Sequence, residues 1–212
     1  MVTATTSRHR RRDTGPVLRH AVRADLPAIV DTWVDAFHTD PYFRWIAPDD
    51  ETYVAFARDW LSLIASLCFE RGHTYVTDNA AIAWVPPDVA VAGPSDFEKA
   101  RGIIANHAGE TRAEEAVSAI LTARGHAVNE PHWTLQYVGV RSADRSSGLG
   151  SAIVKIGLAT ADRDGLLCGL TSTNKKNLPF YARLGFTMAA EVKLPGTDHA
   201  LRPMVRPAHG HR

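Results

Sequence analysis

The sequence predicts a single α/β domain, from its length, its apolar content and one unit of strand, glycine loop, helix and strand. The chain has 212 residues, which fits one domain better than two small ones. Apolar residues make up 45% and charged residues 22%, so a disordered, collagenous or fibrous chain is excluded. Residues 1–16 and 207–212 lack apolar periodicity. We therefore expect a basic disordered N-terminal tail, a folded domain over residues 17–206 and a flexible C-terminal tail.

The elements of the first half follow from apolar spacing and turn residues. Residues 17–23 predict a short strand, and Asp25 is a candidate N-cap for a helix with a one-sided apolar stripe from Leu26 to Phe37. The Pro-containing residues 38–50 predict a loop. Residues 51–71 predict a second helix, which Gly72 ends.

A hairpin and a helical pair follow. Residues 75–76 and 82–85 flank an Asp-Asn turn pair and predict a β-hairpin. Residues 95–124 predict two helices, the first of which ends near Gly109. Trp33, Trp60 and Trp84 fall on apolar faces, so we expect them in the core.

The second half contains the βαβ unit. Residues 132–140, HWTLQYVGV, predict a strand; a helix follows from Leu149, and LLCGLTST at residues 166–173 predicts the next strand. We expect the two strands to lie close together in one sheet. A short helix over residues 178–184 stops at Gly185, and residues 186–194 and 201–205 predict the final strands.

Charge and targeting signals restrict partners and location. The net charge is +1, but residues 1–12 hold four Arg and no acid, so the rest carries 20 basic and 23 acidic side chains. This body lacks the positive excess typical of DNA-binding domains. SRHRRR at residues 7–12 is interpreted as a solvated tail, with an RNA-contacting arm as the alternative.

Export and membrane insertion are not predicted. DTGP follows the Arg run where a signal peptide needs an apolar stretch, and no 18 consecutive apolar residues occur. Cys68 and Cys168 are too few for a disulfide framework but leave a single bridge open. We therefore expect a cytoplasmic protein that does not bind membranes.

The segment RSSGLGS, residues 145–151, lies between the predicted strand and helix. The N-terminus of a helix presents unpaired N–H groups, and glycines let a phosphate approach the backbone closely. The segment therefore predicts an anion site, with a purely structural turn as the alternative. It contains neither the GKS or GKT of a Walker loop nor the GxGxxG of a dinucleotide-binding fold. The segment therefore argues against a kinase, a GTPase or a simple Rossmann domain. A GxSxG elbow is also absent, which argues against a serine hydrolase.

This segment and its surroundings resemble the core of the GNAT superfamily of acyl-CoA-dependent N-acyltransferases. The resemblance is carried by V140-RSADRSSGLGSAIV and N177-LPFYARLGF; Arg145, Gly148 and Gly150 match the family's loop pattern. Further stretches, EPHWTLQYVGV, GLGSAIV, NLPFYARLGFT and AIAWVPP, resemble the puromycin N-acetyltransferases within that superfamily. The resemblance implies a central mixed, mostly antiparallel sheet of about seven strands flanked by helices.

The resemblance also implies how acetyl-CoA is held. Main-chain groups of the strand near Val138 and Val140 would pair with the pantetheine arm, and a backbone N–H around Val138 would stabilise the thioester oxygen. The pyrophosphate would bind the turn before the helix, and Asn177 matches a cofactor-contacting position. The implied loop residues are Arg145, Ser146, Ser147, Gly148, Leu149, Gly150 and Ser151. The puromycin-type loop carries one more glycine and one more cation than this loop. Lys175, Lys176 and Arg183 could supply the missing positive charge.

Proton transfer needs an acid and a base. Tyr181 matches the family tyrosine that returns a proton to the leaving thiolate. Many relatives place a Glu where Thr134 falls here, followed on the same face by Gln136, and neither residue can act as a base. Glu130, His132, Asp40 and a bound water remain as alternatives for that role.

The acceptor cleft of relatives is lined by loops that correspond to a small set of residues here. These candidate substrate-binding residues are Asp40, Tyr42, Trp45, His132 and Trp133. The ten His form no HxxxH or HExxH motif, so we expect no metal.

We therefore expect an acetyl-CoA-dependent N-acetyltransferase that modifies a primary amine of a small molecule, such as an antibiotic or aminonucleoside. A GNAT-fold enzyme with another donor, a different acyl-CoA or an aminoacyl-tRNA, is the first alternative, motivated by the altered loop and the Arg-rich tail. A non-catalytic module that binds an acyl-CoA or a protein is the second. The sequence leaves a monomer and a homodimer equally open.

Overall fold

The computed structural model describes residues 18–145 and 147–209. The predicted basic tail, Val17 at the start of the first predicted strand, Ser146 of the candidate phosphate turn and the last three residues lie outside this part of the chain. Within it, helices and strands form one mixed α/β domain with an open sheet flanked by helices, as the sequence predicts.

The strands are short at the edges and long at the centre. They are β1 Arg19–His20, β2 His73–Val76, β3 Ala80–Val85, β4 His132–Val140, β5 Leu167–Ser172, β6 Thr187–Met188, β7 Val192–Lys193 and β8 Ala200–Arg206. The helices are α1 Leu26–Ala36, α2 Pro41–Ile46, α3 Asp50–Arg71, α4 Pro94–Ala108, α5 Glu110–Gly125, α6 Leu149–Asp164 and α7 Leu178–Arg183. Three short 3-10 turns, Arg23–Asp25, Ser142–Asp144 and Lys175–Asn177, connect them.

The strands form one sheet in the order β1-β2-β3-β4-β5-β8-β6, and β7 pairs with β8 beside β6. β4 and β5 are parallel neighbours, whereas the other paired strands of the described chain are antiparallel. The predicted βαβ unit is therefore confirmed, with α6 as its crossover helix. The predicted strand over residues 186–194 is instead two short strands that both pair with β8.

Apolar side chains fill both faces of the sheet. On one face, α1, α3, α4 and α5 bury a core that contains Trp33 and Phe56. On the other, α6 and α7 pack over Trp84 and Trp133, and Leu158 of α6 lies in that core. The predicted core positions of Trp33, Trp60 and Trp84 are confirmed by their burial. The helical pair α4–α5 lies on the first face, and Gly109 separates its helices as predicted.

The loop predicted over residues 38–50 contains a helix, α2. The Asp40 carboxylate accepts a hydrogen bond from the Tyr42 N–H, and Pro41 occupies the first helical turn. An N-cap acid followed by proline is a helix start, and these two residues hold α2 in a stretch that its prolines led us to predict as irregular.

Asp25 does not cap α1 in the expected way. Its carboxylate accepts hydrogen bonds from the Arg19 guanidinium and the Val22 N–H, and makes no side-chain cap to the helix. Asp25 therefore holds the chain entering α1, where Pro27 supplies a residue without an N–H.

The two cysteines and the C-terminus are also placed. Cys68 and Cys168 are free and buried in the cores on opposite faces of the sheet, so the bridge that the sequence left open is not formed. After β8, Pro207 to His209 have no regular structure, but the His209 N–H donates to the Asp162 carboxylate over 2.8 Å.

Candidate active site

The sheet opens between β4 and β5. His132, Trp133 and Thr134 of β4 pair with β5, and beyond Thr134 the two strands separate. β4 continues to Val140 paired with β3, and β5 continues paired with β8. Within the described chain, the edge of residues 135–140 that faces β5 therefore has no strand partner. Its main-chain N–H and C=O groups can bind an extended ligand as an added strand would bind.

A β-bulge lies at the start of this edge. Leu135 pairs with Trp84 and Tyr137 with Ala83, so Gln136 is an extra residue opposite β3. The extra residue changes which face each later side chain occupies. Leu135 and Val138 both pack on the α6 face, whereas Tyr137 packs on the opposite face with α1 and α3.

The turn before α6 lies next to the end of this edge. Gly148 has a φ of 84°, in the left-handed region that favours glycine, and a Cβ there would have nothing within 4 Å. A Cβ on Gly150 would lie 3.5 Å from Cγ2 of Val140. The first-turn N–H groups of α6, including those of Leu149 and Ser151, have no carbonyl acceptor within the helix. The free edge of β4 thus leads to a positive helix end that can bind an anion.

The Arg145 side chain is partly committed to the fold. Its Nη2 donates a 2.6 Å hydrogen bond to the Ala36 carbonyl at the end of α1. The Ser147 hydroxyl, at 3.3 Å, accepts from the Leu149 N–H. Lys175 and Lys176 are exposed on the turn that follows β5 and leads into α7.

A cavity of about 510 Å³ adjoins the opening. Val138, Asn177 and Tyr181 form its wall where β4 and β5 separate. Most of the rest of its wall comes from α2 and its N-cap Asp40, from α3, α4 and α5, from the segments after β3 and α5, and from β4, β5 and β8. A volume of 300 to 1,000 Å³ is typical of small-molecule sites, so the cavity can hold an acceptor substrate.

Asp40 carries a buried carboxylate in the cavity wall. It is 5% exposed, and its two hydrogen-bond donors are neutral groups: the Tyr42 N–H at 3.0 Å from Oδ1 and the Thr173 hydroxyl at 2.6 Å from Oδ2. Burial raises the pKa of Asp40, and the hydrogen bonds from Thr173 and from the Tyr42 and Phe43 N–H groups, together with the charge of His199, offset part of that increase. Among the described residues, Asp40 has no Lys or Arg in a salt bridge with it, so this buried carboxylate can attract an ammonium group and, when ionised, accept a proton.

Tyr181 lines the same cavity from α7. Burial raises the pKa of its phenol to about 12, and the negative charge of Asp40 adds to the increase. The phenol is therefore protonated at neutral pH and can act as a proton donor. Asn177, exposed at the start of α7, lies in the cavity wall as well.

His132 is the second titratable candidate in the cavity wall. Its Nδ1 lies 2.8 Å from the Glu130 carbonyl oxygen, which can only accept, so Nδ1 carries the proton and Nε2 of the neutral ring is free to accept one. The exposed Glu130 side chain is not part of the wall.

The three aromatic substrate candidates are placed differently from one another. Tyr42 lies in the cavity wall, but its hydroxyl is buried without a partner among the described residues. Trp45 is outside the wall: its Nε1 donates to the Pro195 carbonyl and Arg112 stacks over its ring. Trp133 lies on the α6 face of the sheet, where its Nε1 donates to Asp164. The structure therefore does not bring these two tryptophans to the cavity.

The sequence model of the acetyltransferase (GNAT) family matches residues 8–186, most of the chain. The chain belongs to the GNAT acetyltransferase family. This membership makes the protein an N-acetyltransferase.

Solved structures of other proteins agree with the GNAT fold. One described as a histone acetyltransferase and related acetyltransferase from Corynebacterium glutamicum is 25% identical, with a TM-score of 0.66 over 92% of this chain and 98% of that one. An agmatine N-acetyltransferase is 16% identical, with a TM-score of 0.59 over 90% and 98%. Arylalkylamine N-acetyltransferase 2 from Aedes aegypti is 9% identical, with a TM-score of 0.59 over 91% and 99%. The last two show the fold alone.

Sequence reasoning missed three residues of the GNAT site. Thr173 holds Asp40, and its position just after a strand of the βαβ unit could have indicated it, because ligands bind beyond the carboxyl ends of such strands. Trp60 and Tyr137 line the cavity and share a 2.9 Å hydrogen bond. The apolar pattern of the sequence predicted Trp60 in the core, but such a pattern does not indicate a cavity beside that core.

Across residues 18–145 and 147–209, no three His, Cys, Asp or Glu side chains are grouped as metal ligands would be. Over the same residues, no helix of this GNAT protein has the length and apolar character needed to span a bilayer.

Proposed function

We propose that the protein transfers an acetyl group from acetyl-CoA to the primary amine of a small molecule. One observation carries the proposal: the free edge of β4 leads to a cavity whose wall holds the buried Asp40 carboxylate and the protonated Tyr181 phenol. An amine acceptor needs a proton removed and the leaving thiolate needs one returned, and these two groups match the two needs.

The chain offers a fitting place for acetyl-CoA, which supplies an acyl group activated as a thioester. The unpaired main-chain groups of residues 135–140 suit the amide-containing pantetheine arm. The first turn of α6, entered through Gly148, suits the pyrophosphate. Asn177 and the exposed Lys175 and Lys176, on the turn between β5 and α7, would contact the nucleotide end. A main-chain N–H near Val138 would stabilise the charge that develops on the thioester oxygen.

Asp40 is proposed to bind the acceptor ammonium and to take its proton. It is buried, it lies in the cavity with Tyr181, and its hydrogen bonds to Thr173 and the Tyr42 N–H fix its orientation. Burial raises its pKa, which makes the ionised carboxylate a stronger base. His132 stays the alternative, because its Nε2 is free and it also lines the cavity.

The chain's stretches that resemble puromycin N-acetyltransferases bear on the biological role. They support an acceptor of antibiotic or aminonucleoside type, and a role in self-resistance or in biosynthesis inside the cytoplasm. The proposed enzyme acts as a monomer or a homodimer.

The test is release of free thiol from acetyl-CoA with a panel of small amines. We expect release with at least one amine, and we expect Tyr181→Phe to lower kcat at least tenfold while leaving the KM for acetyl-CoA unchanged. Tyr75→Phe is the control, because it removes a phenolic hydroxyl on β2, outside the cavity wall. No release with any amine would contradict the proposal. Release only with another acyl-CoA, or transfer only from an aminoacyl-tRNA, would support the alternative donor instead.

A further inference from the structure

Two carboxylates line the cavity, and they differ in how they are neutralised. Asp96 accepts a 2.6 Å hydrogen bond from the Arg71 guanidinium and another hydrogen bond from the Gly93 N–H. Asp40 receives its hydrogen bonds from a hydroxyl and a main-chain N–H, both neutral. The cavity wall therefore has one buried carboxylate still suited to a cationic ligand, and it lies beside Tyr181.

The other charges on the wall are basic. Arg101 pairs with Glu110, and Arg124 stacks over the Phe97 ring with 4.7 Å between guanidinium carbon and ring centroid. An acceptor with a second ammonium group would meet these cations, and the acids beside them, Glu110 and Asp96, are already paired with Arg101 and Arg71.

The wall away from Asp40 is mostly apolar. It is contributed by Trp60, Leu63, Ile64 and Leu67 of α3, by residues 89–92 after β3, and by Phe97, Ala100, Ile104, Val117, Ile120 and Leu121 of α4 and α5. Val89 is 39% exposed and Leu121 is 53% exposed, so apolar surface continues to the solvent-facing part of the wall. Exposed apolar surface that lines a cavity is the mark of a site for an apolar ligand group.

We propose that the acceptor is a monoamine carried on an extended apolar body, with its ammonium at Asp40 and its body between α3 and the α4–α5 pair. This inference rests on the proposed function, and it names the acceptor class of that site. It disfavours polyamines, whose second charge would lie among apolar and basic side chains.

A series of primary amines that differ only in the length of the alkyl chain tests the acceptor class. From n-propylamine to n-hexylamine, kcat/KM should rise by up to about fourfold for each methylene that the cavity buries. The matched compound is 1,6-diaminohexane, which has the same chain and a second ammonium group. We expect hexylamine to exceed it at least tenfold in kcat/KM, because a charge loses hydration in an apolar site.

Two valine variants locate the apolar body. Val89 and Val54 are similarly exposed, at 39% and 41%, but only Val89 lines the cavity. Val89→Asp should lower the hexylamine to diaminohexane ratio about tenfold, since it adds a carboxylate near the second ammonium. Val54→Asp should leave the ratio as in the unmodified protein.

Calorimetric binding of the same amines, without acetyl-CoA, separates the two proposals. Preferential binding of hexylamine with no turnover of any amine would support the acceptor class and contradict the proposed transfer. Turnover in which 1,6-diaminohexane equals or exceeds hexylamine would overturn the acceptor class and leave the transfer standing. An equal effect of Val89→Asp and Val54→Asp, or no binding of hexylamine, would also overturn the acceptor class.

Discussion

At the scale of single residues, the Asp40 carboxylate has two tasks. Oδ1 accepts from the Tyr42 N–H and so begins α2, while Oδ2 accepts from the Thr173 hydroxyl beyond β5. The first contact holds a local element and the second ties that element to the edge of the sheet opening. In Asp40→Asn the amide oxygen can still accept from the Tyr42 N–H, and the amide N–H can donate to the Thr173 hydroxyl oxygen, so the variant removes the charge and keeps both contacts.

Asp40→Asn should lower kcat/KM for the amine by about 10² to 10⁴, the range for a positioned base, with the KM for acetyl-CoA unchanged. Steady-state thiol release measures both. Asp31→Asn is the matched control, since Asp31 is a half-exposed aspartate of α1 that pairs with Arg58 away from the cavity. An Asp40→Asn enzyme that keeps its full activity would transfer the role of base to His132 or to a water.

The same variant predicts a pH dependence of stability. Burial raises the pKa of Asp40 above its ordinary 3.8, so the folded protein holds this proton more tightly than the unfolded chain does. Ionising Asp40 therefore costs stability, and this cost appears as the pH rises from the ordinary pKa through the raised one. In urea unfolding, Asp40→Asn should gain stability relative to the unmodified protein across that window. A difference that does not change with pH would contradict the buried, uncompensated charge.

The sequence identified Asp40 only as one of several alternatives. It lies near Tyr181 in the fold but 141 positions away in the chain, and its partner Thr173 is 133 positions away. Tyr181 could be predicted because its motif, NLPFYARLGF, is local. The sequence could not distinguish Trp45 and Trp133 from residues that line the cavity. An aromatic residue beside a loop has the same sequence surroundings whether it faces a cavity or the core.

At the scale of elements, α6 has a left-handed glycine at each end. Gly148 precedes its first turn with a φ of 84°, and Gly165 follows its last turn with a φ of 69°. A Cβ at either position would have nothing within 4 Å, so a substitution at each introduces the same backbone strain without a clash. The two glycines lie at opposite ends of α6, and only Gly148 lies at the turn proposed to bind the pyrophosphate.

Gly148→Ala and Gly165→Ala should each destabilise the protein by about 1 to 2 kcal/mol, the cost of a left-handed residue with a Cβ. Only Gly148→Ala should also raise the Kd for coenzyme A, by roughly tenfold, since distortion of the turn moves the N–H donors that bind the phosphates. Urea unfolding and calorimetric titration measure the two effects. Equal coenzyme A affinity in both variants would contradict the assignment of this turn.

The elements that the sequence predicted well were those with long patterns: α1, α3, β4 and the βαβ unit. Two features escaped it for physical reasons. α2 is a six-residue helix that depends on the Asp40 cap, and a short helix between prolines carries no periodic signal. The bulge at Gln136 is a shift in how β4 pairs with β3. The sequence of β4 is an unbroken run of strand-forming residues, so it does not show where the pairing shifts.

At the scale of the whole molecule, the sheet separates two cores and brings the site to the gap between them. α6 and α7 cover one face and present the phosphate turn and Tyr181; α1, α3, α4 and α5 cover the other and enclose the cavity. The cavity arises where β4 and β5 separate and where α4 and α5 pack over α3. The sequence could not predict it, because most wall residues belong to ordinary apolar helix or strand patterns that do not show a cavity.

Hydrogen exchange of the full chain with and without acetyl-CoA tests the central claim, that the free edge of β4 and the first turn of α6 together bind this donor. We predict slower exchange for the amides of residues 135–140 that point towards β5 and for the first turn of α6, with α4 unchanged. Exchange that slows elsewhere while these two segments stay unaffected would contradict the account.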